Sequence, residues 1–217
     1  MNRNQEIAAN LKDVKAKIQA INSQAQLIVV TKTFPISDLE ILYELGERNF
    51  GENRDQEASE KAAKLPKDVI WHFQGQIQTN KIKSISNWAD VIHSIDDERQ
   101  IQKFAQSNKS HSVFLQVNID NQFDEKRGGV KANMLSQLAK SVQSTSNLKL
   151  MGLMAVAPLG EDANSAFARL AKIQEQFVKD FPNAKFLSAG MSLDFETALK
   201  HGATHVRIGS SILGNRA

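Results

Sequence analysis

The chain contains no cysteine among its 217 residues. That excludes a disulfide framework, a thiolate nucleophile and any metal centre built on thiolates. Long apolar runs are missing too, with nothing near the ~18 residues that a membrane span needs. The opening stretch MNRNQEIAANLKDVKAKIQA is charged throughout and has no apolar centre of the secretory-signal kind. Aromatic residues make up only 6% and do not interleave with arginine, so no stacking platform for nucleic acid is expected. The net charge of +3, from 27 basic and 24 acidic residues, is a slight imbalance spread along the chain. A cytoplasmic protein with neither nucleic acid nor membrane as partner is the expectation.

Several nucleotide and metal motifs are also absent. No GxGxxG occurs, and the glycine spacings in GERNFGEN and GSSILGNR lack the GK[ST] ending of a phosphate-binding P-loop. His201 and His205 have the spacing of two zinc ligands on a helix, but Gly202 stands where such a motif carries glutamate. The pair straddles a helix end and a strand, so they read as a turn and a strand residue, and no metal site is predicted. Asp96, Asp97 and Glu196 read as helix-start residues, where acidic groups are favoured.

What is present is a regular alternation. Ile7, Leu11, Val14, Ile18 and Ile21 form one apolar stripe, which predicts an N-terminal helix within residues 1–22. Strand-like segments follow at 27–32, 49–52, 70–75, 90–95, 113–119, 148–156, 185–190 and 204–211. Between them lie helical stretches, such as SDLEILYELG with a serine N-cap and a closing glycine, and SAFARLAKIQEQFVKDFP, whose Phe167, Leu170, Ile173 and Phe177 share a face. Eight βα units with no linker between them fit an α/β fold, a single (β/α)8 TIM barrel domain over residues 1–217. A doubly wound open sheet is the competing architecture, since periodicity does not prove closure.

In a barrel the active face lies where strands end. Those ends carry Lys32, Glu52 and Asn53, Gln74 and Gly75, Ser94, Asn118, Ser188 with Gly190 and Ser192, and Arg207 with Gly209, Ser210 and Ser211. The loops after the seventh and eighth strands, AGMSLDFETAL and RIGSS, combine glycines, hydroxyls and a helix start, the chemistry of a phosphate site. Lys32 lies across the mouth from them. A lysine whose charge is disfavoured by burial can attack a carbonyl, so a phosphorylated aldehyde is the predicted ligand. Pyridoxal 5′-phosphate and a sugar phosphate in an imine-forming aldolase both meet that description.

The motifs VTK, FGEN with a following QE, WHFQGQIQTNK, GLMAVAP, LSAGMSLDFETAL and VRIGSSILG, in order from about Ile28 to Gly214, resemble the pyridoxal phosphate homeostasis family (the YggS/PROSC type). That family resembles the barrel domain of alanine racemases without their second, β-rich domain. The resemblance implies pyridoxal 5′-phosphate held by Lys32 as an internal aldimine, with its phosphate on Ser192, Gly209 and Ser210. It implies Arg207 against the pyridine nitrogen, with Asn53, Ser188, Met191 and the segment His72 to Gly75 around the cofactor. The implied role is cofactor carriage and homeostasis with little or no turnover, the alternative being an amino-acid racemase of low activity. Apoenzymes that require pyridoxal phosphate are the implied partners, and a monomer is expected. Tyr43 is the only tyrosine and should lie outside the barrel, away from any racemase-like base position. Arg54, Asp55 and Arg127 depart from the family pattern in loops alone.

Overall fold

The computed structural model describes residues 2–122 and 127–214. Its centre is a closed barrel of eight parallel strands: β1 (Gln26–Val30), β2 (Asn49–Glu52), β3 (Ile70–Phe73), β4 (Val91–Ile95), β5 (His111–Gln116), β6 (Leu148–Met154), β7 (Phe186–Ser188) and β8 (His205–Ile208). Closure is made by β8 on β1, in register from Gln26 opposite His205 to Val29 opposite Ile208. An open sheet would leave those two edges unpaired, so this ladder decides between the two architectures. Helices α2 (Ile36–Glu44), α3 (Asp55–Lys64), α4 (Ile82–Trp88), α5 (Glu98–Phe104), α6 (Leu135–Gln143), α7 (Ala163–Asp180) and α8 (Phe195–Lys200) connect successive strands. Helix α1 (Arg3–Ile21) precedes the barrel and a short α9 (Ser210–Leu213) follows β8.

The N-terminal helix forms where its caps and stripe predict. Asn2 accepts from the Gln5 N–H at 2.9 Å and its own N–H donates to Gln5 Oε1 at 3.1 Å, a reciprocal cap. Ile7, Leu11, Val14 and Ile18 are buried while Ile21 is only partly so. Arg3 ties this helix to the end of the chain, donating to the Leu213 carbonyl at 2.9 Å and pairing with Asp38 of α2.

Strand alternation divides the barrel into two faces. Outward side chains meet the helices: Phe50 packs edge-on against Trp71, which packs on Trp88 of α4. Inward positions include Ile28 and Phe114, with the rings of His93 and Phe114 stacked at 4.7 Å. Branched aliphatic residues usually fill such an interior. Here His72, His93, His205, Ser188 and Arg207 occupy much of it, and that polar filling bears directly on the site.

Several local expectations need correction, since β3, β5, β6 and β7 stop two or three residues short of the expected 75, 119, 156 and 190. The first strand stops at Val30, so Lys32 belongs to the following turn. Helix α2 begins after Pro35, whose ring holds φ at −68°, and Ser37 lies inside the helix without a capping role. The eighth strand ends at Ile208, because Ser210 and Ser211 open α9. The closing Gly46 is as expected, at φ +93°, and α7 buries Phe167, Leu170 and Phe177, with Ile173 packed partly against them.

Candidate functional site

The turn bearing Lys32 is held from behind by one buried cation. Thr31 still pairs with the barrel, donating its N–H to the Gly51 carbonyl at 2.9 Å. Its hydroxyl turns outward and donates to Glu52 Oε1 at 2.7 Å. Lys61, on the buried face of α3, donates to the Thr31 carbonyl at 2.8 Å, to Glu52 at 2.7 Å and to Glu57 at 2.6 Å. Glu57 in turn accepts the Thr33 N–H at 2.5 Å. Both neighbours of Lys32 are thereby tied to the same cluster. Thr33 has φ +69° and is the only non-glycine residue with positive φ among the described residues. A β-branched residue in that region is strained by its Cβ. Lys32 itself, in the turn that follows the inward Ile28 and Val30, is half-buried.

Charges in this cluster follow from burial. Glu52 is fully buried, and desolvation pushes its carboxyl up despite Lys61 and Thr31. For Glu57, burial acts upward, but Lys61 and the Thr33 N–H outweigh it and hold the carboxyl below its ordinary value.

Across the mouth, the loops after β7 and β8 converge. The N–H groups of Gly209 and Ser211 both point at Ser192 Oγ, at 3.3 and 3.4 Å, and Ser211 Oγ donates to the Ser192 carbonyl. Two main-chain donors thus converge on one serine oxygen, in the kind of backbone arrangement that suits an anion. Gly190 turns the preceding loop at φ +92°, where an added Cβ would lie 2.7 Å from the Ala198 methyl and 2.8 Å from Phe195 Cα. Ser210 is exposed at the start of α9, and Met191 is exposed with its N–H donated to Asp194 Oδ1.

Arg207, on β8 two residues before Gly209, is 4% exposed. It donates through Nη1 to Ser188 Oγ at 2.8 Å and through Nη2 to the Ala155 carbonyl at 3.0 Å. Burial lowers its pKa to about 10, against the attraction of Asp194, and it remains cationic at neutral pH. Ser188, expected at the mouth, is fully buried, and its hydroxyl is engaged by Arg207 and His93.

The third side of the mouth is HFQG. Gln74 folds over Gly51, where an added Cβ would meet Gln74 Nε2 at 2.5 Å, and that buried nitrogen has no partner among the described residues. Gly75 allows the chain to approach Asn53, since a Cβ there would lie 2.4 Å from the Asn53 carbonyl oxygen. Ser94 Oγ fixes the same turn through the Gly75 carbonyl. Asn53 is exposed and lines a cavity of about 570 Å³ together with Arg54, Glu57, Phe73 and Lys81. Lys32, Ser192 and Arg207 are outside that lining.

Other strand-end residues do local work. Asn118 Oδ1 accepts the Asp120 N–H in a turn, and Asp97 caps α5 through the Arg99 N–H. Asp96 accepts the Gly129 N–H, and Glu196 sits in the first turn of α8. Arg127 pairs with Asp120 at 2.6 Å, and its charged neighbours 124–126 lie outside the described residues. His201 closes α8 and His205 opens β8, as expected. Among the described residues, no group of three or more His, Cys, Asp or Glu is placed to hold a metal ion, and no helix is long and apolar enough to cross a membrane.

Sequence reasoning missed Lys61, Glu57 and His93, and it expected His72 around the cofactor, whereas the ring is buried between His93 and Asn49. The one legible signal was a polar residue at the inward position of adjacent strands, Asn49, His72 and His93, running against the apolar habit of barrel interiors.

Comparison with known proteins agrees with the fold. Residues 3–217 match the family model of the alanine racemase N-terminal domain. The chain is 38% identical to a pyridoxal phosphate homeostasis protein of Corynebacterium glutamicum, over 88% of this chain and 90% of that one. It is 34% identical to one of Schizosaccharomyces pombe, over 94% and 90%. The chain belongs to this family. PipY of Synechococcus elongatus, solved with pyridoxal phosphate bound, superposes with a TM-score of 0.85 at 31% identity, covering 96% of this chain and all of that one. Alanine racemase of Bacillus anthracis shares the fold at 16% identity and a TM-score of 0.71, with 56% of its length covered. As a member of the family, the chain carries the lysine, the Gly-Ser loops and the buried arginine on one closed barrel.

Proposed function

We propose that this protein binds pyridoxal 5′-phosphate at the C-terminal mouth of its barrel and holds it for cellular homeostasis, with little turnover of its own. The carrying observation is that the Gly209 and Ser211 N–H groups both meet Ser192 Oγ, joining the loops after β7 and β8, while β8 also carries the buried Arg207. The donors suit that ligand. Main-chain amides and the hydroxyls of Ser192 and Ser210 match a phosphate. Gln74 Nε2, a buried donor without an acceptor, matches an oxygen on the ring. Bound there, the cofactor supplies an aldehyde that captures amines and a ring that accepts electrons.

The chain's own residues then have distinct tasks. Lys32 supplies the amine that condenses with the aldehyde. Arg207 donates to the ring nitrogen, while Ser188 acts on the cofactor through Arg207. Asn53 and Met191 border the ring and the phosphate loop. A buried guanidinium beside the ring nitrogen disfavours its protonation by like-charge repulsion, which weakens the ring as an electron sink. Strong racemase activity would also need a second base. The single tyrosine, Tyr43, is on the outer surface, its hydroxyl donated to Asp68 at 2.9 Å and its ring under Arg48. Storage and delivery in the cytoplasm, by a monomer serving apoenzymes that need the cofactor, follow from this reading.

Equilibrium dialysis against pyridoxal 5′-phosphate and unphosphorylated pyridoxal tests it. Charge-assisted hydrogen bonds contribute about 1.5–3 kcal/mol each, so the phosphorylated form should bind at least ~100-fold more tightly. Equal affinity for the two would contradict the phosphate assignment.

A further inference from the structure

A continuous line of side chains crosses the barrel interior from Arg207 to its floor. Arg207 Nη1 reaches Ser188 Oγ at 2.8 Å, Ser188 Oγ meets His93 Nδ1 at 2.9 Å, and His93 Nε2 meets His72 Nδ1 at 2.9 Å. His72 Nε2 ends the line on Asn49 Oδ1 at 3.0 Å. Ser188 and both histidines are buried, His93 and Ser188 completely.

The direction of every proton in this line follows from its first member. A guanidinium only donates. Ser188 Oγ therefore accepts from Arg207 and has its single proton left for His93 Nδ1. A neutral His93 that accepts at Nδ1 carries its proton on Nε2 and donates to His72 Nδ1. His72 then carries its own on Nε2 and donates to Asn49, whose oxygen faces it. Both rings stay neutral at physiological pH because burial lowers His72 to about 3 and His93 well below its ordinary value, with neighbouring His72, Arg207 and His205 adding to the latter.

We infer that His93, His72 and Asn49 are positioning residues that lock the Ser188 hydroxyl as an acceptor for Arg207 and so fix the guanidinium's remaining donors toward the cofactor ring. This rests on the assignment of Arg207 to the ring nitrogen. Reversing the line would leave Ser188 Oγ facing N–H groups on both sides with its own proton unplaced, at the cost of an unsatisfied buried polar group. The lock can therefore be set from the floor of the barrel, far from the ligand. Asn49 is half-exposed there and lines a cavity of about 430 Å³ that has room for a longer side chain.

The experiment is nitrogen-15 NMR of the histidine rings in cofactor-free protein, paired with absorbance and release of the bound cofactor. His72 and His93 should both carry the proton on Nε2. Asn49→Asp keeps an acceptor and should leave the tautomers, the cofactor band and its release unchanged. Asn49→Lys presents a donor. It should move the His72 proton to Nδ1, shift the band and speed release about tenfold, the size expected for losing a hydrogen bond to a charged group. If Asn49→Lys does not fold, Ser188→Ala should free the His93 tautomer and shift the band, with Ser188→Thr restoring both. A proton on Nδ1 of either ring in the unmodified protein overturns the proposal, as does a band indifferent to Asn49→Lys or, in its place, Ser188→Ala. Should the unmodified protein form no band at all, the cofactor reading fails and the histidine tautomers alone decide whether the line is ordered.

Discussion

Lys61 Nζ donates to the Thr31 carbonyl at 2.8 Å, one residue before the lysine assigned to the cofactor. The same ammonium pairs with Glu52, which is fully buried with its Oε2 unpartnered among the described residues. Replacing Lys61 by Met removes the cation and leaves that carboxylate alone. Breaking a buried pair in this way typically costs about 3–5 kcal/mol. Urea unfolding of Lys61→Met should show a loss of that order, and colour formation with pyridoxal phosphate should slow because the Thr31–Thr33 turn is no longer tied down. Unchanged stability and an unchanged rate together would show that the cluster does not hold the turn.

Thr33 offers a gentler test. Its φ of +69° is one that glycine adopts without strain. Thr33→Gly should raise stability by about 1 kcal/mol, since left-handed geometry costs other residues about 1–2 kcal/mol and glycine's entropy returns part of that. The Glu57 contact uses the main-chain N–H, so it survives the change. Thermal melts would measure the gain, and a loss of stability would mean that the threonine side chain contributes more than its backbone strain costs.

Gly75→Ala tests the other side of the mouth. The new methyl would lie 2.4 Å from the Asn53 carbonyl oxygen, so one of the two loops must shift. Overpacking of this kind costs about 1–3 kcal/mol. Weaker cofactor binding should accompany it, read by dialysis, because Asn53 and Gln74 move with these loops.

Acid should unfold the protein through its interior. His72, lowered to about 3, His205, lowered to about 4, and His93, lowered well below its ordinary value, are all held neutral chiefly by burial. The unfolded chain takes up protons near pH 6.5 that the folded chain refuses. Stability is thus full above about pH 6.5 and is lost as pH falls toward the folded values. For His72 alone the loss by pH 5 is about 2 kcal/mol, with His93 adding in the same direction. Urea midpoints at pH 7 and pH 5 measure it. Equal midpoints would mean that the rings are already charged or exposed.

Much of this architecture was legible in the sequence. Eight apolar segments with helical stretches between them implied the βα repeat, and the glycines and serines after β7 and β8 marked the two loops that meet at Ser192. Closure was not legible, because it depends on Gln26 to Val29 pairing with His205 to Ile208 nearly the whole chain away. The segment ends failed for a related reason. Hydroxyl and apolar residues continue past Ile208, yet the ladder stops there and Ser210 starts a helix. Lys61 was invisible since a lysine on a charged helix ordinarily faces water, and only the tertiary placement of Glu52 and Thr31 buries it. Ser188 was read as a mouth residue. Strand polarity alone does not show that Arg207 and His93 take up its hydroxyl.

The central claim is that the amine of Lys32 captures pyridoxal 5′-phosphate at the barrel mouth. Borohydride reduction of the loaded protein followed by peptide mass mapping measures this directly. The pyridoxyl group should be found on Lys32 and should disappear from that peptide in Lys32→Ala, with the yellow colour. Labelling confined to other lysines, or a colour that survives Lys32→Ala undiminished, would contradict it.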